Sequence, residues 1–430
     1  MEVRGDEEAG QLLASALDVA NALENEDESQ AHVHGFHVYP ARMHPLTARR
    51  LVEALSRPRD AVLDPFCGSG TVLVEARLAG RFAAGVDANP LAVRLARLKA
   101  TTTTEAQREL LVTWAGKIAQ TADLRRQARA GASRHFPEVD VALFDPHVLL
   151  ELDGLRVGLE GFSPRSADEA WARETLWIVL SAILTKVSRR VSDTADTKAP
   201  RRLFAGYAAK LFTRKAEELA GRLAEIAPQL VGAPGLWIEE GDARELDGIE
   251  DGAVDLTVTS PPYAGVYDYV AHHEARLRWL GLEDRRFRER EIGARSKLSE
   301  VDPAEGRAAW DAEIGAVLAS LRRVTKERGL AVLLIADSVV GGAALHADDV
   351  LVDLAPRQGF DVVAIASQAR PHFHGGTRAA FTRRSRAEHA VLLQPSPAPR
   401  QNLREAIKHE HDAPGWRGDS RQKTSRRLPR

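Results

Sequence analysis

The 430 residues of this chain predict an α/β fold: a doubly wound, mostly parallel seven-stranded sheet whose last strand runs antiparallel. Three observations carry that expectation. Short apolar runs alternate with helical spacing between residues 61 and 100. The loop Gly68-Ser69-Gly70 joins the first run to its helix, and the run 254–260 stops at Ser260-Pro261-Pro262-Tyr263. Strand, crossover helix and parallel strand in succession impose right-handed connections and put the carboxyl ends of the strands, where ligands bind, on one edge.

The elements follow in order. "AVLDPF" (61–66) reads as a short buried strand, "TVLVEARLAG" as a helix stopped by glycine, "FAAGVDANP" as a second strand and "LAVRLARLKA" as a second helix. Residues 101–234 break this rhythm. Amphipathic stretches at 104–130, 167–190 and 208–229 read as an inserted helical subdomain, although "VDVALFDP" (139–146) looks locally like a strand. Strands resume at 235–242, 254–260, 329–337, 360–367 and 387–394, with helices around 306–327 and 346–357. No crossover-length helix separates the last two strands, so they are expected to pair antiparallel.

Composition sets the bounds. Hydrophobic residues at 44% and charged residues at 28% are those of a globular protein in water. No apolar run has the length of a membrane span and the acidic start lacks a signal-peptide pattern, so a cytoplasmic location is expected. Cys67 is the sole cysteine, which rules out a disulfide within the chain and a cysteine-rich zinc site. A net charge of −2 conceals an asymmetry: residues 1–30 hold nine acids against Arg4, and residues 396–430 hold nine Lys or Arg against four acids. Both ends are expected to be mobile, and the basic one is suited to a polyanion.

The glycine loop admits several ligands. A phosphate cradle would need Gly-Lys-Ser/Thr, but Thr71-Val72 follows the last glycine, and the dinucleotide fingerprint would need a glycine where Leu73 stands. The acids narrow the choice. Asp87, nineteen residues beyond Gly68, ends the second strand where a carboxylate accepts from ribose hydroxyls. Asp242 ends the third strand, within reach of an adenine amino group, and Asp64 ends the first, near where an ammonium group would sit. Three acids at successive strand ends form a pocket for a cationic nucleoside.

In that order, "DPFCGSGT", "VDANP", "GDAR" and "TSPPY" resemble the motifs of class I S-adenosylmethionine-dependent methyltransferases, specifically the DNA amino-methyltransferases; "HVYPARMHPLTARRLVEAL" (37–55) resembles the segment that flanks the methionine end of their cofactor. The resemblance implies S-adenosylmethionine as cofactor, held by Asp64, Pro65, Phe66, Gly68, Gly70, Thr71, Asp87, Ala88, Asn89, Asp242 and Ala243. It implies catalysis by Ser260, Pro261, Pro262 and Tyr263, with DNA as partner. It covers a cofactor-binding half (31–100) and a catalytic half (235–395), and leaves outside it the acidic amino terminus (1–30), the helical insertion (101–234) and the basic tail (396–430), which charge and pattern mark out.

A base's amino nitrogen is a weak nucleophile because its lone pair is conjugated with the ring. The Ser260 hydroxyl and Pro261 carbonyl are expected to hold its hydrogens while Tyr263 stacks on the base, and a base in a duplex must first be flipped out. Carbon-5 methylation of cytosine would need a thiol in the catalytic turn, and Cys67 lies in the cofactor loop instead. Serine before Pro-Pro-Tyr is associated in the resembled family with N4-cytosine enzymes. N6-adenine enzymes, guanine-N2 enzymes acting on tRNA, a non-catalytic module that grips nucleic acid, and a nicotinamide oxidoreductase are the alternatives.

No metal is expected: "HVHGFH" (32–37) and His44 lack acids at ligand spacing and are expected to pack beside the cofactor. Tyr267, Tyr269, His272 and His273 are candidates for the rim of the base pocket. Target recognition is expected in the arginine-rich segments 186–202, 284–297 and 370–386.

Overall fold

The computed structural model describes residues 1–19, 29–190, 202–371 and 375–397. Its main sheet has eight strands: β1 (Glu2–Gly5), β2 (Ala61–Asp64), β3 (Phe82–Asp87), β4 (Leu236–Glu240), β5 (Val254–Thr259), β6 (Thr325–Ala336), β9 (Phe360–Ala369) and β10 (Ala387–Pro395). β7 (Ser338–Val340) and β8 (Ala343–Leu345) form a separate hairpin. The order across the main sheet is β1-β9-β10-β6-β5-β2-β3-β4. β2 pairs parallel with β3 and β5, while β10 runs antiparallel to both β6 and β9, as the missing crossover requires.

Neighbouring strand residues point to opposite faces, and each face has its own core. Val62 and Ala83 join one apolar cluster, Leu63 and Ala84 the other. On the first face pack α1 (Glu7–Leu17), α2 (Pro45–Leu55), α3 (Thr71–Leu78) and α4 (Pro90–Ala100). The insertion joins them there through α5 (Glu105–Gln127), α6 (Glu138–Leu143), α7 (Pro146–Gly161), α8 (Ala167–Val187) and α9 (Tyr207–Ile226). Its buried Leu111, Leu152, Leu176 and Leu219 belong to the same cluster as Leu51, Leu73 and Leu95, so it has no core apart. α13 (Pro303–Val324) and α14 (Ala347–Leu354) cover the second face with α12 (Arg295–Leu298), whereas α10 (Tyr269–Leu280) and α11 (Arg285–Arg290) bury Leu277, Trp279 and Phe287 in the first cluster.

Two expectations are corrected. The acidic start is not a mobile tail over its first 17 residues: β1 adds an eighth strand, antiparallel to β9, and Asp6 caps α1 by accepting the Ala9 N–H at 2.9 Å. Leu13 and Leu17 are fully buried, which holds this helix down. The strand-like 139–146 is instead helical. Its Val139 and Val141 face solvent while the buried Asp140 pairs with Arg278 at 2.6 Å, so the apolar residues did not mark the inner face. The basic tail from 398 onward lies outside the described residues, as does 191–201. No helix among the described residues is long and apolar enough to cross a membrane.

Candidate active site

The carboxyl ends of β2, β3, β4 and β5 open onto one cleft of about 880 Å³, counted to its mouth. The glycine loop forms its floor. Gly68 and Gly70 have φ of 50° and 87°, left-handed values that favour glycine. A Cβ on Gly70 would lie 2.7 Å from Ala96 Cα, so this glycine lets the loop sit directly on α4.

Each predicted acid stands at its strand end. Asp87 accepts the Gly68 N–H through Oδ2 and the Asn89 N–H through Oδ1, both at 2.8 Å. Burial pushes its carboxyl up to about 6. Asp64 accepts the Phe66 N–H at 3.1 Å and the Thr259 hydroxyl at 2.7 Å, and burial pushes it up to about 7. That second bond ties the tip of β2 to the residue before Ser260. The two motifs therefore face one cavity: Ser260 and Pro262 line it together with Asp64, Gly68 and Asp87.

Pro65, Phe66, Thr71, Ala88, Asp242 and Ala243 also line the cleft. Gly70, Asn89, Pro261 and Tyr263 do not. Asn89 is buried behind it, capping α4 through the Leu91 N–H and donating to the Tyr39 hydroxyl. Asp242 is already gripped by Arg244, whose Nη2 is 2.6 Å away. Buried Ser69 Oγ and Thr71 Oγ1, both on cleft residues, have no hydrogen-bond partner. Two raised carboxylates and two orphaned hydroxyls in a recess suit a cationic, hydroxyl-bearing guest.

Phe287, Arg290, Glu291 and Ile292, from the segment 284–297 where target recognition is expected, stand in the cleft wall. The 39–43 segment closes the other side, with Tyr39 stacked on His273 at 4.9 Å between ring centroids. Of the rim candidates, Tyr269 lines this cleft.

A second hollow of about 950 Å³, counted out to its open mouth, lies on the far side of Ser260. Ala41, Arg42, Met43 and Ser260 line both, so a single layer of residues separates them. Tyr263, Tyr267, Arg370 and Glu388 line only the second, with Leu17 of α1.

The histidine segment is buried, and the fold supplies the acid that its spacing lacks: His34 Nε2 lies 2.7 Å from Glu75 Oε1. His32, His34 and Glu75 converge as metal ligands would, as do Asp337, Asp348 and His389. Glu75 is also paired with Arg49, and Asp348 with Arg4 and Arg384.

Residues 3–98 match a family described as DNA methylase, beginning well before the 31–100 segment marked out by the motifs. Among curated proteins the chain is similar to the type II methyltransferase M.MjaII of Methanocaldococcus jannaschii, 34% identical over 82 residues (19% of this chain). It is also similar to the type II methyltransferase M.MvaI of Kocuria varians, 38% identical over 71 residues (16% of this chain). The chain spans 16% of the length of each of these relatives. Among solved structures, the rRNA methyltransferase aviRa of Streptomyces viridochromogenes is 12% identical over 88% of this chain and 96% of its own, with a TM-score of 0.35. The matched segment contains the glycine loop and two of the strand-end acids, and Ser260 and Pro262 of the Ser-Pro-Pro-Tyr turn line the same cleft, so in these parts the chain resembles the class I S-adenosylmethionine-dependent DNA amino-methyltransferases.

Proposed function

We propose that the chain transfers a methyl group from S-adenosylmethionine to an exocyclic amino group of a base in DNA, with N4 of cytosine the favoured acceptor. The observation that supports this most is the position of Ser260 in the partition between two cavities, one with the acids suited to the cofactor and one with room and an aromatic wall for a base. Bound in the first, the cofactor supplies an electrophilic methyl on a sulfonium.

The chain's residues do the rest. Asp87 accepts from the ribose hydroxyls and Asp64 holds the ammonium end. Pro65, Phe66, Gly68, Gly70, Thr71, Ala88, Asn89, Asp242 and Ala243 shape or brace the recess. In the second cavity Tyr263 stacks on a flipped base, and Ser260 Oγ with the Pro261 carbonyl accepts its amino hydrogens. Most of the acceleration then comes from holding two reactants in register. Serine rather than an acid before Pro-Pro-Tyr favours cytosine. The type II relatives suggest a place in restriction-modification and hence in the cytoplasm.

Transfer of labelled methyl to duplex DNA and to tRNA, followed by mass spectrometry of the nucleosides, tests the reading. N4-methylcytosine in DNA is expected. N6-methyladenine would move the target, label in tRNA alone would favour an RNA enzyme, and cofactor binding without transfer would favour a non-catalytic module.

A further inference from the structure

The wall of the second cavity carries a hydrogen-bonded chain that the roles above leave unused. Ser260 Oγ donates to the Tyr263 hydroxyl at 3.3 Å, and Tyr263 donates to Glu388 Oε1 at 3.0 Å. Glu388 Oε2 accepts from Arg370 Nε at 3.0 Å and also from its Nη2. The participants come from the turn after β5, the start of β10 and the residue after β9.

The direction of this chain is forced. A carboxylate has no proton to give, so Tyr263 donates to Glu388, and the phenol oxygen is left to accept the Ser260 proton. With that proton committed, Ser260 offers lone pairs to whatever approaches it. That is the polarity required of a group meant to hold an amino hydrogen.

We propose that Glu388, acting through Tyr263 and Ser260 and held by Arg370, sets this polarity and takes up the proton that a base amino group sheds on methylation. The inference rests on the methyl-transfer reading. The amino nitrogen bonds to the methyl carbon as the carbon–sulfur bond breaks, with sulfur keeping the electron pair. Nitrogen is left with a positive charge and one hydrogen too many. Its N–H bond breaks toward Ser260 Oγ, the Ser260 proton passes to Tyr263, the Tyr263 proton passes to Glu388, and the carboxylate ends as a neutral acid. No oxidant or reductant enters. Arg370 beyond β9, Arg386 on the approach to β10 and Tyr263 act on Glu388, and Arg42, His44 and Tyr267 line the same cavity. Glu388 is thus a positioning residue that works through the serine.

The test uses the full chain, S-adenosylmethionine and a duplex it methylates, with Glu388→Gln and Tyr263→Phe, both of nearly unchanged shape. Single-turnover transfer is expected to fall about 100-fold or more in each, the scale of a lost proton-transfer partner, with KM for DNA and cofactor affinity within about twofold. The double variant should be no slower than either single one, because both cut the same path.

One readout is independent of turnover. Burial, then the charge of Glu388, holds the Tyr263 phenol well above its ordinary range, so ultraviolet titration should show one tyrosine ionising at lower pH in Glu388→Gln. That difference should be absent on a Tyr263→Phe background. Undiminished rates in both single variants, additive losses in the double, or an unmoved tyrosine would overturn the proposal. A wild-type protein that methylates no DNA would instead sink the reading beneath it, while the tyrosine titration would still report whether the chain of bonds exists.

Discussion

Replacing Asp87 by alanine is expected to weaken S-adenosylmethionine binding by about 10²- to 10³-fold. A hydrogen bond to a charged acceptor contributes roughly 1.5–3 kcal/mol, and each tenfold in affinity is about 1.4 kcal/mol. Two ribose hydroxyls on one carboxylate therefore predict a loss of about 3–4 kcal/mol, once the repair of the Gly68 and Asn89 amides by water is allowed for. The pH dependence makes the test sharper. Burial raises Asp64 to about 7 and Asp87 to about 6. A guest that needs both ionised loses affinity about tenfold per pH unit between 7 and 6 and about a hundredfold per unit below 6. In Asp87→Ala the second steepening should disappear. Isothermal titration calorimetry from pH 5 to 8 reads both effects. Affinity within about threefold of wild type, or a slope that still steepens below pH 6, would refute the assignment.

Tyr263→Ala removes the base's stacking partner, so turnover should fall at least tenfold while cofactor affinity stays nearly constant, as calorimetry beside a transfer assay will show. Lys99 is fully buried and its Nζ has no hydrogen-bond partner; burial lowers it from 10.5 to about 7. The unfolded chain then binds the extra proton between those values, so stability rises with pH across that window and the full cost, about 5 kcal/mol at most, applies below pH 7. Lys99→Met should raise stability at pH 7 by roughly 2–4 kcal/mol and flatten the dependence between pH 7 and 10, measured by urea unfolding. Gly70→Ala puts a methyl 2.7 Å from Ala96 Cα at a φ of 87° and should cost about 2–4 kcal/mol in the same assay, with cofactor affinity falling as the loop lifts.

What the sequence revealed depended on whether a residue's role was local. The strand-end acids and the glycines act within a few residues of where they stand, and the fold places Asp64, Asp87 and Gly68 around one cleft as their spacing predicts. β1 was hidden because four residues among acids are too short for alternation to register, and its pairing with β9 lies more than 350 residues away in sequence. α6 was misread because its valines face solvent and its inward residue is an acid neutralised by Arg278, a partner no local pattern displays. Glu75 beside His34 and Glu388 beside Tyr263 are likewise meetings across the fold. Phe287 and Ile292 lay in a segment singled out for its arginines, whereas their own apolar character was the better guide to burial.

A partition one layer thick has a thermodynamic consequence. Ala41, Arg42, Met43 and Ser260 belong to both hollows, and Arg42 is anchored to the carbonyls of Ser29 and His34. Whatever stiffens this wall from one side lowers the entropy still to be lost on the other, so the two guests should tighten each other's hold, by the same factor in either order. Departure would be coupled in the same way, with a spent guest on one side slowing the exit of its neighbour.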